Sequence, residues 1–491
     1  KVLSKRSLGE GTSSQFRDEV DLMAQLEEIE VTPVRRARVV INERTGTIAI
    51  TFDADKAVAD LRESVGKMRH KLAMLADGKF TPAALKVLVS IQDEVAEQVL
   101  RDNLSRFKGE FLAQNVFLTE EAAFNDAKAF DPASGRVFKP SVIKEIGGHR
   151  VAIIGQAFPY VPIAHPKRFT PDWTFGIRDD ELQKLVDGHR NNDKVEAVIL
   201  LSHNGMDVDL KLASRVTGID VILGGHTHDA IPLPITVTNA GGVTLVTNAG
   251  SNGKFIGVLD LDLAKGKVAN LRYRLLPVFA ELLKPDPAMQ ALIDKMRDPH
   301  ADEWSDKLGT ADRLLYRRGN FSGTVDQLIC DALLNELNAE IALSPGFRWG
   351  LTTLAGQPIT MEDVLSETAI TYPETYLATM TGSQIKDVLE DVCDNLFNAD
   401  PYYQQGGDMV RVGGLSYAID IAKPMGERIS ALTLTDTGEA IDPAKSYTVG
   451  GWASVNEGTE GPQIWDVIEA HIRKTGTVRV DPRTTVTVTG G

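Results

Sequence analysis

Short apolar runs recur along residues 111–275: FLAQNVF, HRVAIIGQAF, KVEAVILLS, DVILGG, TLVTNAG and FIGVLDLDL. Each suits a buried strand and is too short for a buried helix. Amphipathic segments such as DDELQKLVDGHR lie between them. That alternation predicts a layered α/β fold. A second α/β unit is predicted over 310–480, with helices at TVDQLICDALLNELN and TGSQIKDVLEDVCDNLF. Residues 276–309 read as a charged connecting helix, and 481–491 as a tail.

The pattern before residue 97 is different. VRRARVVINERTGTIAITF (34–52) is two β-branched runs around a Gly-containing polar turn, which predicts a hairpin. From Asp53 to Phe107 the spacing turns helical. AVADLRESVGKMRHKLAMLADG closes on a glycine, and TPAALKVLVSIQDEVAEQVLRDNL opens on Thr81-Pro82, a good cap and first-turn pair. The expected boundaries are 1–96, 97–275, 276–309, 310–480 and 481–491.

At 491 residues the chain has room for two or three domains. Its net charge of −15 excludes general nucleic-acid binding, which needs a basic face, while leaving room for a local anion pocket. No apolar run reaches the roughly 18–20 residues of a membrane span. The start, KVLSKRSLGEG, has neither an initiator Met nor an apolar export core, so no export signal is in view. Cys330 and Cys393 lack CxxC spacing and are expected to be free, buried thiols.

Chemistry enters at the ends of two of the strands. Ser202-His203-Asn204-Gly205 follows KVEAVILL, and His226-Thr227-His228-Asp229 follows GIDVILGG. Functional groups gather at the carboxyl ends of strands in layered α/β folds. Gly224 and Gly225 allow a tight turn, and neutral imidazoles suit Zn, Mn or Fe. His203, His226 and His228 are therefore candidate metal ligands. His70, His149, His189, His300 and His471 have no such pattern and read as structural or exposed.

These motifs carry a resemblance. SHNG, GGHTHD and VTNAGSNGKFIGVLDLDL are similar to the calcineurin-like metallophosphoesterase domain of the 5′-nucleotidase superfamily. ETAITYPETYLATMTGSQIKDVLED resembles that superfamily's C-terminal substrate domain. More narrowly, IIGQAFPYVPIAHPKRFTPDWTFGIRDDELQ, LSPGFRWG, YYQQGGDMVRVGGLSYAIDI and GGWASVNEGTEGP resemble the SoxB-type thiosulfohydrolases of bacterial sulfur oxidation. The resemblance spans about 97–480. It makes 97–275 a partial metallophosphoesterase-like domain and 310–480 a 5′-nucleotidase C-terminal-like domain.

The resemblance implies a periplasmic hydrolase with two manganese ions, which would clamp the scissile group and generate hydroxide. Its implied substrate is a thiosulfonate on the C-terminal cysteine arm of the SoxYZ carrier protein, from which sulfate leaves and a persulfide remains. It assigns His203 and His226 to one metal and His228 to the other, with Asn204 and Asp229 behind them. Arg348, in SPGFRWG, falls where nucleotidases hold phosphate, and Arg411 lies on a Gly-flanked loop; both are candidate anion donors. Tyr372, Tyr376 and Trp349 are candidate walls of a channel for the carrier arm. His165 and the Asn456–Glu457 loop are further substrate candidates.

The superfamily's remaining ligand motifs (Asp-x-His, Gly-Asp and Gly-Asn-His) do not occur in residues 1–110, whose single histidine is His70. FRDEVDLMAQLEEIEVTPVRRARVVINERTGTIAI instead resembles the end of the flagellar P-ring protein. The chain thus reads as a chimera, and without the missing carboxylates one manganese ion or none is expected. Two alternatives stand beside the thiosulfohydrolase: a 5′-nucleotidase-like phosphoesterase, and a non-catalytic, ring-associated structural protein.

Overall fold

The computed structural model describes residues 107–317, 319–456, 459–480 and 485–490, with Leu104 and four short strands before it. The chain divides into two units. One comprises 1–82, 279–284 and 491; the other comprises 83–278 and 285–490.

In the first unit Arg38–Asn42 pairs antiparallel with Thr47–Thr51, forming the hairpin that the sequence predicts, and Val2–Ser4 adds a third strand. His70 and most of the 53–107 segment lie outside the described residues. One part of that segment departs from expectation. Val87–Val89 is a strand, parallel to Glu110–Leu112, where a helix was expected. The residues Val-Leu-Val suit a strand as well as a helix, and the pairing with 110–112 is non-local.

The second unit, which also holds the Val87–Val89 strand, contains a six-stranded sheet. Its parallel centre is His149–Gln156, Ala197–Ser202, Val221–Gly224 and Gly242–Asn248. Ser141–Ile146 and Ile235–Asn239 close the edges antiparallel. Apolar runs with few polar breaks form these strands because both faces are covered. On one face Leu182 and Val186 of helix Asp179–Asn191 pack with Leu212 of helix Met206–Arg215 against Ile154, Leu200 and Ile222. On the other, Leu261, Leu263 and Val268 of the hairpin Phe255–Pro277 pack on Val151, Ile153 and Ala197. Burying each such side chain is worth about 1.5–3 kcal/mol.

Gly155 sits where this sheet meets the 110–115 segment, and a Cβ there would lie 2.2 Å from the Leu112 carbonyl oxygen. Backbone cannot retreat as a side chain can. Gly155→Ala is expected to destabilise the fold by at least about 1–3 kcal/mol. Gly188→Ala, on an open helix position, should be neutral or stabilising. Equal melting temperatures for the two variants would refute this reading.

The connecting region holds a helix at Pro287–Arg297, capped by Asp286, and a short one at Ala301–Trp304. Pro299 interrupts what the charge pattern suggested as one helix. The C-terminal domain follows. Its four-stranded sheet runs in the order Thr375–Thr381, Ser446–Trp452, Ile341–Ser344, Arg411–Gly413. Helices Thr324–Glu336 and Ile464–Thr475 share one core, and Gly382–Phe397 contributes to another. Capping boxes at Thr360/Asp363 and Thr381/Gln384 start two of its helices. Cys330 and Cys393 are free and buried. Among the described residues no helix is long and apolar enough to cross a membrane.

Candidate active site

The histidine loops meet at the carboxyl end of the parallel sheet. The His203 amide donates to the Gln156 carbonyl at 3.0 Å, which extends the ladder one residue past Ser202. His226 begins the turn after Val221–Gly224, with φ of +68°, and His228 has φ of +60°. The imidazoles of His203 and His226 are 5.3 Å apart between centroids. Phe158 stacks on His226 at 4.1 Å and meets His203 edge-on at 6.2 Å. The glycine pair is needed for close approach: a Cβ on Gly224 would lie 2.9 Å from Asp209 Oδ2, and one on Gly225 3.2 Å from His203 Nδ1.

A buried polar chain supports this turn, and sequence reasoning missed it. Asp209 Oδ1 accepts from Ser202 Oγ at 2.6 Å and from Asn204 Nδ2 at 3.0 Å. Asn204 Oδ1 accepts from Gln156 Nε2 at 3.1 Å, and Gln156 Oε1 from Gln114 Nε2 at 2.7 Å. Burial pushes the Asp209 carboxyl up to about 7, against the pull of Ser202 and Asn204. A signal for Asp209 existed, since it shares the buried face of its helix with Met206, Leu212 and Ala213. A carboxylate on an apolar stripe is seldom surface decoration. The Asn204 side chain bonds to Gln156 and Asp209 in this chain of polar groups.

The C-terminal domain reaches the turn from above. Arg348 Nη2 donates to the His226 carbonyl and Nη1 to that of Thr227, each at 3.1 Å. His226 Nε2 lies 3.0 Å from the Gln405 carbonyl oxygen. Beside these contacts is a cleft of about 260 Å³, with Asp207, Thr227, Asp229, Arg348, Gly406 and Asp408 in its wall.

The 5′-nucleotidase C-terminal domain family matches residues 307–475, and the flagellar P-ring protein family matches residues 10–58. A trifunctional nucleotide phosphoesterase of Bacillus subtilis is 26% identical over 342 residues, covering 66% of this chain and 22% of its own length. Bovine 5′-nucleotidase is 26% identical over 352 residues, covering 63% of this chain and 58% of its own. The chain thus spans well under two thirds of either curated relative. A 5′-nucleotidase precursor from Thermus thermophilus has the same fold, with a TM-score of 0.66 and 22% identity over 80% of this chain and 81% of its own. The sulfate thiohydrolase SoxB of Thermus thermophilus is 37% identical, with a TM-score of 0.74, covering 81% of this chain and 71% of that one.

The chain belongs to the 5′-nucleotidase superfamily of metallophosphoesterases.

Other members of that superfamily named above are hydrolases. A two-ion centre of the kind the resemblance implies can be tested against the donors present. Among the described residues no three His, Cys, Asp or Glu side chains come together closely enough to hold a metal ion. His226 Nε2 faces a carbonyl, which only accepts, so the contact is a hydrogen bond in the tautomer that protonates this nitrogen. The described residues do not fit a two-ion centre.

Arg411 is not in the cleft wall. It is 1% exposed, with Nη2 donating to Asp408 Oδ2 at 2.9 Å and Nε 3.3 Å from Asp326 Oδ2. Asp326 Oδ1 accepts from Arg317 Nε at 3.1 Å, and Arg317 Nη1 donates to the Glu367 carbonyl at 2.6 Å. Burial raises two carboxyls of this cluster, Asp326 in spite of its two arginines and Glu367 to about 8. Only Asp408 carries the cluster's charge to the cleft.

The remaining candidates are dispersed. The Tyr372 hydroxyl meets His165 Nδ1 at 3.3 Å, both buried, so these two act on each other. Trp349 stacks on Phe347 at 4.0 Å. Tyr376 lies under Gly451, where a Cβ would come within 2.3 Å of its hydroxyl. Asp229 lines the cleft, and its carbonyl accepts from the Gly250 amide at 2.6 Å. The Asn456 amide donates to Ser454 Oγ at 3.2 Å, and Glu457 lies outside the described residues. Of the histidines read as structural, His189 is pinned between Ser141 and Asp193, each at 2.8 Å.

Proposed function

We propose that the chain derives from the SoxB-type thiosulfohydrolases and is built to recognise a thiosulfonate held on the cysteine arm of a carrier protein rather than a nucleotide. The observation that carries this is the 37% identity to SoxB over 81% of the chain, beside 22% to the nucleotidase of matching fold. In the reaction, water adds to the terminal sulfonate sulfur and the S–S bond breaks. Sulfate and protons are released, and the carrier keeps a persulfide. The proposal includes a SoxYZ-type carrier as partner and the periplasm as compartment. Manganese enters it as one ion or none, because the described residues bring no three His, Cys, Asp or Glu side chains together at His203 and His226.

Sulfate release from a thiosulfonated cysteine peptide, compared with phosphate release from AMP under manganese, tests this reading. Any turnover is expected with the sulfonate, at a rate far below that of an enzyme with a full ligand set. Preferential hydrolysis of AMP would sink it in favour of a nucleotidase.

A further inference from the structure

Every residue of the helix Pro287–Arg297 is exposed, its apolar ones included. Met289 is 56% exposed, Leu292 50%, Ile293 41% and Met296 67%. Spaced by three, four and seven positions, these four form one stripe along the helix. Among the described residues none of them joins a hydrophobic cluster. The helix is fastened at its carboxyl end instead. Arg297 Nη1 and Nη2 donate to the two Glu362 carboxylate oxygens at 2.6 and 2.7 Å, and the guanidinium lies over the Trp304 ring.

At 11 residues the helix is shorter than the roughly 12–15 at which isolated helices are marginal in water. Packing on its apolar face is what it lacks, and a contiguous apolar patch in water marks an interaction surface. The order of the stripe points to the occupant. Met289-Gln290-Ala291-Leu292-Ile293-Asp294-Lys295-Met296 has its apolar positions in the same places read from either end. A twofold axis between Leu292 and Ile293 sets Met289 against Met296 of a second copy, and Leu292 against its Ile293. The same operation places Lys295 opposite Gln290 and Asp294 opposite Ala291, so these charges do not oppose their own kind. It also runs the two helix dipoles antiparallel, each positive end beside a negative one. A twofold contact needs this self-complementarity, whereas an unrelated partner does not.

We infer that Pro287–Arg297 pairs antiparallel with the same helix of a second copy, making the chain a weak twofold dimer. Four side chains cover well under the about 800 Å² per partner of a stable interface, so the association is reversible. The net charge of −15 opposes it at long range, and added salt is expected to strengthen it. The inference makes no use of the thiosulfohydrolase reading.

Sedimentation equilibrium of the whole chain, from low to high micromolar concentration, tests it. The wild type is expected to reach a dimer, and Leu292→Glu to associate at least about tenfold more weakly. Position 292 is half in water, so the substitution leaves the fold intact. Register is read by oxidising Met289→Cys and Met296→Cys proteins together, where the mixed disulfide dimer is expected in preference to either self-pair. The native Cys330 and Cys393 are buried and do not compete. A wild type that stays monomeric, a dimer indifferent to Leu292→Glu, or a preference for self-pairs overturns the inference. In a monomer, slow maleimide labelling of Met289→Cys would assign the stripe to another segment of the same chain, and fast labelling to a different protein.

Discussion

Arg411→Ala is expected to lower stability by about 3–5 kcal/mol, because it removes one partner of a buried ion network and leaves the others uncompensated. Asp326 is 1% exposed and Arg317 3% exposed. Asp408 would lose its bond to Nη2, and Asp326 its neighbour on the Oδ2 side. Burial already holds the Asp326 carboxyl above its ordinary range, with Arg411 the strongest influence pulling the other way. Without Arg411, proton uptake by Asp326 is the cheapest relief. Urea unfolding at neutral pH measures the loss. Unchanged unfolding with a lost sulfonate affinity would assign Arg411 to substrate and remove it from the core.

Stability is also expected to fall between about pH 4 and pH 8, the reverse of the usual acid-labile pattern. Asp209 titrates at about 7 and Glu367 at about 8 in the folded chain, both raised chiefly by burial. Unfolded, each would lose its proton near pH 4. Across the intervening window the folded state therefore binds more protons, and stability falls as pH rises. The contribution is fully present below about pH 4 and is lost as pH passes each folded value. Shifts of this size correspond to several kcal/mol over the window, as an order of magnitude. Asp209→Asn keeps an acceptor for Ser202 and Asn204 without the charge, so it should flatten the part of the decline ending near pH 7. The check is unfolding free energy at pH 5, 7 and 9 for both proteins. A wild type more stable at pH 9 than at pH 5 would contradict the burial of these carboxyls.

Local pattern carried the reading of the parallel sheet a long way. The runs at 151–156, 197–201 and 221–224 are strands, and 179–191 and 324–336 are helices, because periodicity and capping act over a few neighbouring residues. Val87–Val89 shows the limit, since its strand pairs with residues more than a helix length away. Arg348 and Arg411 show another. Both stand among glycines in sequence, yet one reaches the His226 turn and the other is walled into the core. Gln405 had no side-chain signal to find, because its backbone carbonyl makes the contact.

The sequence by itself determined the α/β class, the positions of His203 and His226 at the carboxyl ends of adjacent strands, and the family. Each follows from short-range spacing or from motifs that stand contiguous in the chain. Only the tertiary structure decided which partners those groups have: Asp209 under the turn, the Gln405 carbonyl on Nε2, and Asp326 and Asp408 around Arg411. Partnership of that kind depends on burial and on segments brought together from far along the chain, where a charge in the core and one in water are written with the same letter.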